Sequence, residues 1–502
     1  MIKTTMKKTM RIIIILFMVA LILLITACGD SNENNSGNTE NPASGDDNNA
    51  AEKHDQQEEK IDVHSILASL PNEDYGGYEF RIWTTNWYNP TVEARQAPEE
   101  DQNGEPINDA LYLRDKLIEE KYNITIKYSV EDDDWALLPK AQNAIKAGDD
   151  AFDFVMDNLR VVTSGLAQSG ALIDFNEMPN IDLTKEWWSK YAIRDLTING
   201  KFYFPTGDIT ARYSLAGGIL MFNKTVCRDM GIEYPYQSVI HGNWTLDEFM
   251  TLIKGKTRDL NGDGVIDKDN DFYGLIVYNQ SAFDFMMGSG EGLIKIADGN
   301  PVLNAKNEKT VTIMEKVASL WSDPAYQPYT VQVYYEEVRM FTENRALFLQ
   351  TTVGDVSLFR DMDSDFGIIP PPKWDKNQTE YFSHANPSGT SAVCVPTTNR
   401  NTERTGMIIE ALAAAGKYTS TPAVYEVTLK TKFARDTESE KMLDIICAGS
   451  RYDFAKIYNW GDLYTQFCET VGSGQSFIAP FERIEGRVQS QMERTIAAFE
   501  GN

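Results

Sequence analysis

Histidine and cysteine are scarce in this sequence, and their scarcity excludes several classes of metalloenzyme and redox protein. Four His residues occur among 502, and no two of them have the helical spacing of a two-histidine zinc motif. The five Cys residues include no C-x-x-C pair, so neither a zinc ribbon nor a thioredoxin-type redox motif is supported. Four cysteines are expected to pack as small buried side chains, although an exported chain could pair two of them: Cys227, Cys394, Cys447 and Cys468.

Basic residues are also in short supply. The chain has 47 Lys and Arg against 74 Asp and Glu, a formal net charge of −27. General nucleic-acid binding is therefore excluded, because it needs a cationic surface that displaces phosphate counterions. The acidity favours a neutral or cationic ligand over an anionic polymer. Hydrophobic residues make up 42% of the chain, which is enough for a substantial core and excludes wholesale disorder.

The longest apolar run, Ile12 to Ile25, is shorter than the roughly 20 residues that span a bilayer. Basic residues precede it, and Thr26, Ala27 and Cys28 follow it, which predicts an export signal over residues 1–27. The segment Ile-Thr-Ala-Cys resembles a bacterial lipobox, which implies that Cys28 becomes the first mature residue and carries lipid. An uncleaved anchor helix and an ordinary secretory signal are the alternatives.

The next segment, Gly29 to Lys60, lacks Val, Ile, Leu, Met and every aromatic residue. Such a segment cannot offset the entropy of ordering, so we expect a lipid-anchored disordered tether over residues 28–74. Folding is expected to begin near Tyr78, where an alternating strand pattern starts.

Strand and helix patterns then alternate, which predicts a parallel sheet covered by helices. Ligands bind at the carboxyl ends of strands in such sheets, so the residues after the first and third strands are candidates. The predicted strands are 78–83, 123–130 and 152–156, and the predicted helices are 108–121, 135–147 and 159–169.

A second series of elements follows. Its predicted strands are 201–205, 218–223, 274–278, 346–351, 365–369 and 391–395. Its predicted helices are 244–253, 310–321, 335–344, 403–416, 422–433, 439–447 and 480–499.

Six segments in this order resemble the extracellular solute-binding proteins of ABC importers, in the large family (family 1) that captures sugars and oligosaccharides. They are DALYLRDKLIEEKYNITI, AFDFVMDNLRVVTSGLAQSGALIDF, GILMFNKTVCRDMGI, WTLDEF, FTENRALFLQTTVGD and FGIIPPPK. The resemblance covers roughly residues 75–460 and is strongest to long lipoproteins of Gram-positive bacteria.

The resemblance implies an α/β, two-lobed, periplasmic-binding-protein-like (type II) fold with a ligand cleft between the lobes. Lobe 1 would hold residues 75–207 and 343–386, and lobe 2 would hold 208–342 and 387–502. The implied role is capture of a sugar or oligosaccharide on the extracellular face of the membrane and its delivery to an ABC permease. Hinge closure around the ligand would signal to the permease. The chain would then be no enzyme.

Residues 259–271 follow the pattern of a calcium loop, which offers side-chain oxygens at positions 1, 3, 5 and 9 and a backbone carbonyl at position 7. Gly264 at position 6 permits the sharp turn, but position 12 is Asn270 where an EF-hand has Glu. We expect a structural Ca²⁺ here, and the alternative is an acidic surface turn without metal. The expected ligands are Asp259, Asn261, Asp263, Val265, Asp267 and Asp271.

Sugars need aromatic rings against their C–H faces and polar side chains against their hydroxyls. The candidates with this chemistry are Trp83, Asn86, Trp87, Tyr88, Asp157, Asn158, Arg160, Asp208, Tyr213, Thr351, Thr352 and Trp460. Core packing is the alternative for each of them. A surface-tethered glycan-binding adhesin or sensor partner, and a tethered glycan hydrolase, are the alternative functions.

Overall fold

The computed structural model of the chain describes residues 62–85, 96–99, 101–425 and 436–500. Residues 60–502 group into one compact unit. The signal, Cys28 and most of the predicted tether therefore lie outside the described residues. Among the residues that are described, no helix combines the length and the apolar character needed to cross a bilayer.

Helix α1 lies inside the range expected to be a disordered tether. It spans Val63–Ser69, and Asp62 caps its first turn. The following residues are tied to the next helix: Lys121 donates to the carbonyl of Leu70, and the amide of Tyr75 donates to the carbonyl of Tyr122. The tether prediction was therefore wrong from residue 62 onward.

The first sheet has the strand order β12-β3-β1-β2. Strands β1 (Tyr78–Thr85), β2 (Ile124–Glu131) and β3 (Phe154–Asn158) are parallel, whereas β12 (Ser391–Cys394) is antiparallel to β3. The central strand β3 is buried along its whole length, as expected for a strand covered on both faces. The connecting helices are α2 (Pro106–Tyr122), α3 (Asp134–Ala147) and α4 (Ser164–Gln168).

The second sheet has the order β10-β4-β9-β5-β8. Its strands are β4 (Gly218–Asn223), β5 (Tyr273–Val277), β8 (Tyr329–Thr330), β9 (Ala346–Thr352) and β10 (Phe366–Ile369). Strands β4, β5 and β10 are buried at every residue, so their near-continuous apolar sequences match a double-covered sheet.

The sheets distribute the chain differently from the predicted lobe boundaries. Residues 346–352 and 366–369, expected in lobe 1, pair with β4 in the second sheet. Residues 391–394, expected in lobe 2, pair with β3 in the first sheet. The prediction exchanged these segments because a short apolar strand carries no information about which distant strand it will join.

The remaining elements lie around the two sheets. Their helices are α5 (Lys190–Leu196), α6 (Lys224–Asp229), α7 (Tyr236–Ile240), α8 (Leu246–Ile253), α9 (Ser281–Gly288), α10 (Glu308–Ser322), α11 (Glu336–Thr342), α12 (Thr402–Tyr418), α13 (Ser420–Pro422), α14 (Thr437–Ala448), α15 (Phe454–Tyr458), α16 (Leu463–Val471) and α17 (Ile478–Glu500). Two small ladders complete the described strands: β6 (Ile294–Ala297) with β7 (Asn300–Leu303), and β11 (Ser383–His384) with β13 (Ser450–Arg451).

Two further element predictions differ from the structure. Residues 201–205, predicted to be a strand, make one isolated bridge between Lys201 and Ile198. Of the predicted helix 422–433, residues 426–433 lie outside the described part of the chain.

A buried carboxyl group, Glu410 of α12, holds two adjacent indoles in the core. Trp187 and Trp188 donate their Nε1 hydrogens to its two oxygens at 3.1 and 3.0 Å. Burial of the carboxyl group raises the pKa of Glu410 to about 7.

This shift predicts a pH dependence of stability. Because the folded-state pKa lies above the unfolded value, the contribution of Glu410 is fully present below about pH 4.5 and is lost as pH rises through 7. The loss amounts to up to about 3 kcal/mol of unfolding free energy. Measured by thermal unfolding between pH 5 and 8, the Tm of Glu410→Gln should fall less with pH than the Tm of the parent. Parallel curves would refute this role.

Candidate functional site

A cavity of about 610 Å³ lies at the carboxyl ends of β5 and β9. These two strands are parallel, so they end at the same edge of the second sheet. Strand β4 is antiparallel to β9 and begins at that edge, with Gly218 opposite Thr352. The cavity volume falls within the roughly 300–1,000 Å³ of typical small-molecule sites.

The cavity also receives residues that are held by the first sheet. Arg160 follows β3, and its amide donates to the carbonyl of Pro387 at 3.2 Å. The neighbouring amide of Leu159 donates to the carbonyl of Thr390 at 2.9 Å. Arg160 and Ser388 therefore stand at the side of the cavity nearest β3 and β12, and the cavity lies between the two sheets.

One wall of the cavity carries acidic and hydroxyl groups. The Asp355 carboxylate accepts hydrogen bonds from the hydroxyls of Thr351 and Thr352, both at 2.7 Å. Glu337 is buried beside Tyr278, and burial raises the pKa of this carboxyl group. One oxygen of Glu337 has no hydrogen-bond partner among the described residues. This wall can accept hydrogen bonds from ligand hydroxyls.

The cavity also borders a buried network around Asp284. One of its oxygens lies 2.7 Å from Nδ1 of His384, and the other accepts from Nε2 of Gln350 at 2.9 Å. His384 is 1% exposed, and burial lowers the pKa of its imidazole to about 4. The ring is therefore neutral near pH 7, with its Nδ1 hydrogen donated to Asp284. Lys456 of α15 also lines the cavity.

Two exposed aromatic rings stand at the rim of the cavity. Tyr334 is 78% exposed and Tyr335 is 56% exposed, unusually high fractions for such large rings. Tyr335 has a φ of 76°, in the left-handed region that β-carbon sterics disfavour. Strain of this kind is held where the surrounding structure needs a particular side-chain placement. The rim thus offers flat apolar surface beside polar walls.

Three of the predicted ligand-binding residues line this cavity: Arg160, Thr351 and Thr352. Their contact with a ligand stays a prediction. Three others, Asn86, Trp87 and Tyr88, lie outside the described residues.

The polar residues at the end of β3 bond to neighbouring residues, although one carboxylate oxygen of Asp157 has no hydrogen-bond partner among the described residues. Asp157 is fully buried, and burial raises the pKa of its carboxyl group to about 6. Its oxygen accepts from the amide of Asn158 at 2.6 Å, and Asn158 in turn bonds to Asp134. Neither residue lines the 610 Å³ cavity.

Four predicted residues lie elsewhere, each with a local partner. Trp83 donates to Glu131 at 3.1 Å, and Asp208 accepts from Thr421 at 2.8 Å. Trp460 is buried, donates to Thr495 at 2.9 Å and stacks on Tyr458 with ring centroids 5.1 Å apart. Tyr213, in a 3₁₀ turn, is also absent from the cavity lining. The structure places Trp460 in the core, where most tryptophans lie, and its contact with a ligand stays a prediction.

The calcium-type loop has the expected turns, but its carboxylates bond to backbone amides. Asp259 accepts from the amides of Gly262 and Gly264, at 2.6 and 2.7 Å. Asp271 is fully buried and accepts from the amides of Leu260 and Asp267. Among the described residues, no three His, Cys, Asp or Glu side chains converge as a metal site. The oxygen donors suit Ca²⁺ chemically. In this arrangement, however, both oxygens of Asp271 accept hydrogen bonds from backbone amides of the loop.

The four cysteines in the described part of the chain are free thiols. Cys227, Cys394 and Cys468 are buried, and Cys447 is partly buried. Burial raises the pKa of the Cys227 thiol to about 12, which leaves it unreactive.

Sequence reasoning missed Asp284, His384, Lys456 and Tyr335. The first three are separated by 100 and 72 positions in the chain, so no spacing rule connects them. The available signal was chemical: Lys456 stands within the short apolar segment Phe454–Tyr458, where a charged residue needs an explanation.

A family described as bacterial extracellular solute-binding protein matches residues 115–421 of the chain. This match covers more than half of the sequence. A search of curated proteins finds no match.

Solved structures show the same fold at low sequence identity. The ABC substrate-binding protein Lmo0181 from Listeria monocytogenes, in complex with cycloalternan, has a TM-score of 0.53 at 14% identity, covering 83% of this chain and 99% of that one. A cyclo/maltodextrin-binding protein complexed with maltotetraose has a TM-score of 0.54 at 12% identity, with 84% and 96% covered. UspC of M. tuberculosis has a TM-score of 0.53 at 14% identity, with 84% and 100% covered. The predicted α/β, two-lobed, periplasmic-binding-protein-like (type II) fold is confirmed.

Proposed function

The chain belongs to the family of bacterial extracellular solute-binding proteins, and from this premise we propose that it captures a sugar or oligosaccharide for an ABC importer. The observation that carries the proposal is the chemistry of the 610 Å³ cavity. Tyrosine rings at its rim suit the C–H faces of a sugar, and hydroxyl, amide and carboxylate groups on its walls suit the hydroxyls.

Two of the structural relatives add support. The Listeria protein was solved with cycloalternan and the cyclo/maltodextrin-binding protein with maltotetraose, both of them oligosaccharides. A ligand that touched both sides of the cavity would stabilise the closed arrangement of the lobes, because its contacts are complete only there. A membrane permease would then recognise the closed form and receive the ligand.

We extend the proposal to the location of the protein. The family is extracellular, and the segment ending at Cys28 has the features of a lipoprotein signal. A lipid on Cys28 would hold the folded unit at the outer face of the cell membrane of a Gram-positive bacterium, close to the permease. Mass spectrometry of the membrane-extracted protein would detect diacylglycerol on Cys28, and a Cys28→Ser variant should be released into the medium.

A structural Ca²⁺ in the 259–271 loop is also proposed. The six oxygen donors and the two glycines with positive φ support it, at 79° for Gly262 and 81° for Gly264. To bind the ion, the carboxylates of Asp259 and Asp263 would have to give up the hydrogen bonds that they accept from backbone amides. The ion would staple the loop to β5 and take no part in ligand binding.

A thermal-shift screen tests the function directly. Mono- and oligosaccharides are added to the purified protein, with calcium in one arm and a chelator in the other. A cognate sugar at a hundredfold excess over Kd should raise the unfolding free energy by about 2.7 kcal/mol. A chelator should lower Tm in the absence of sugar if calcium is bound. No shift with any carbohydrate would contradict the proposed function, and release of sugar from an oligosaccharide would indicate a hydrolase instead.

A further inference from the structure

One end of the cavity contains a buried cation, Lys456, which lies over an aromatic ring and has no counter-ion among the described residues. Lys456 is 5% exposed, and no described residue forms a hydrogen bond or an ion pair with its ammonium group. Its Nζ lies 5.3 Å from the centroid of the Tyr464 ring. Burial lowers the pKa of Lys456, as expected for an ammonium group that has lost water without gaining a counter-ion.

The nearby carboxylate of Asp284 does not serve as the missing partner of Lys456. Both oxygens of Asp284 are engaged, one by His384 and the other by Gln350. Asp284 therefore acts on Lys456 at a distance only. Because buried charges in proteins are ordinarily paired and hydrogen-bonded, the ammonium group calls for a partner beyond the residues that the structure describes.

A second cation stands at the same end. Arg160 is exposed at the cavity surface, and no described residue bonds to its guanidinium group. Lys456 and Arg160 carry two positive charges against the single negative charge of Asp284, which leaves one positive charge in excess at this end. Glu337 and Asp355 are the acidic groups of the wall described above.

The His384 ring also provides a hydrogen-bond acceptor at this end of the cavity. Because Nδ1 of His384 donates to the Asp284 carboxylate, Nε2 carries no hydrogen and accepts. This nitrogen has no partner among the described residues. A ligand that matches this end of the cavity must combine an anionic acceptor for Lys456 with a hydroxyl donor for His384.

Building on the proposed function, we infer that the cavity selects an acidic sugar, whose anionic group is bound by Lys456 and Arg160 and whose hydroxyl donates to Nε2 of His384. A uronate carboxylate fits best, because its planar pair of oxygens matches the guanidinium fork of Arg160. The acidic wall would repel further negative charges, so the preferred ligand carries its anionic group at one end.

The overall charge of −27 opposes the approach of an anion, but the local contacts dominate in the bound state. Interactions between exposed charges are largely screened beyond about 8 Å at physiological ionic strength, whereas contacts inside a cavity are screened much less. Added salt should therefore speed association of an acidic sugar more than that of a neutral one.

Calorimetric titrations with three sugars of equal length test the inference: a uronate oligomer, its neutral counterpart and a sulfate ester. The parent should bind an anionic sugar at least tenfold more tightly than the neutral one, and a preference for the uronate or for the sulfate identifies the anionic group. Lys456→Met should reduce that affinity roughly tenfold or more and should reduce neutral-sugar affinity by a clearly smaller factor. The variant should fold, because methionine replaces an unpaired buried charge with an apolar chain of similar length. Lys254→Met, on the surface, is the matched control and should change neither affinity.

The outcomes separate this inference from the proposed function. Equal affinity of the parent for neutral and anionic sugars, or equal losses for both in Lys456→Met, would overturn the acidic-sugar assignment while leaving a sugar-binding protein. Failure of every sugar to bind the folded parent would overturn the proposed function as well.

Discussion

Replacing Arg114 with alanine is expected to lower the unfolding free energy by about 3–5 kcal/mol. Arg114 is 1% exposed, yet each of its three guanidinium nitrogens donates a hydrogen bond. It bonds to Asp115 at 2.9 Å, to the hydroxyl of Tyr128 at 3.1 Å and to the carbonyl of Ile209 at 3.0 Å. The last contact ties helix α2 to a segment 95 residues later, so its loss reaches beyond one helix.

The alanine variant is destabilised mainly because Asp115 stays buried without its partner. Asp115 would keep a hydrogen bond from Tyr128 at 2.8 Å, but its buried charge would lose its counter-ion. Breaking a buried pair from one side is more destabilising than replacing both partners by apolar residues. An Arg114→Met, Asp115→Leu double variant should therefore recover part of the loss.

A matched control lies on the same helix. Lys116 pairs with Glu119 at 2.7 Å, but the lysine side chain is about half exposed. Exposed pairs of this kind contribute less than about 1 kcal/mol. In urea unfolding, the midpoint of Lys116→Ala should stay near that of the parent while the midpoint of Arg114→Ala falls clearly. Equal midpoints for the two variants would contradict the assigned role of Arg114.

Removing both rim tyrosines should reduce sugar affinity roughly hundredfold without destabilising the protein. The variant combines Tyr334→Ala with Tyr335→Gly. Each ring is expected to contribute about 1–1.5 kcal/mol through stacking and apolar burial, which corresponds to roughly tenfold per ring. Because both rings are mostly exposed in the free protein, their removal costs little packing.

Tyr335 also has an unusual backbone conformation, so its replacement should affect stability and binding in different directions. At a φ of 76°, a residue with a β-carbon is strained by about 1 kcal/mol or more, and glycine is not. Glycine also makes the unfolded chain more flexible, which offsets part of the gain. The Tm of Tyr335→Gly should therefore equal or exceed that of the parent while its affinity falls.

Two measurements check this opposition between stability and binding. Thermal unfolding without sugar gives the effect on Tm, and calorimetric titration gives the effect on Kd. Tyr335→Phe keeps the ring and should retain most of the affinity. A Tyr335→Gly protein that is less stable but binds sugar normally would show that the ring packs the fold and does not contact the ligand.

Individual helices and strands were predicted well from sequence, because the residues that determine each of them are close together in the chain. Pro106 opens α2, and Asn123, in a left-handed conformation, ends it; the sequence predicted a helix over 108–121. The strand at 366–369 was likewise predicted to within one residue. Hydrophobic periodicity and capping residues determine such elements without reference to distant chain.

The distribution of strands between the sheets did not follow from sequence. Strand β9 pairs with β4 and β5, which lie more than 60 residues earlier, and β12 pairs with β3 across more than 230 residues. These pairings depend on how the chain crosses between sheets, which no window of sequence records. The predicted lobes therefore exchanged two segments, although the number of lobes and the fold class were right.

The candidate site divided in the same way. Arg160, Thr351 and Thr352 could be selected because they follow strands whose ends define a cavity. Asp284, His384 and Lys456 come from two helices and a two-residue strand, so they converge only in three dimensions. Tyr335 carries a backbone angle that sequence does not report.

A crystal structure of the protein with the sugar that gives the largest thermal shift would locate the ligand. We expect the sugar to occupy the 610 Å³ cavity, with a ring against Tyr335 and its polar groups within hydrogen-bond distance of Thr351 and Lys456. The lobes should be closed around it. A sugar bound elsewhere, for example beside the stacked rings of Tyr458 and Trp460, with the cavity filled by solvent, would contradict the account.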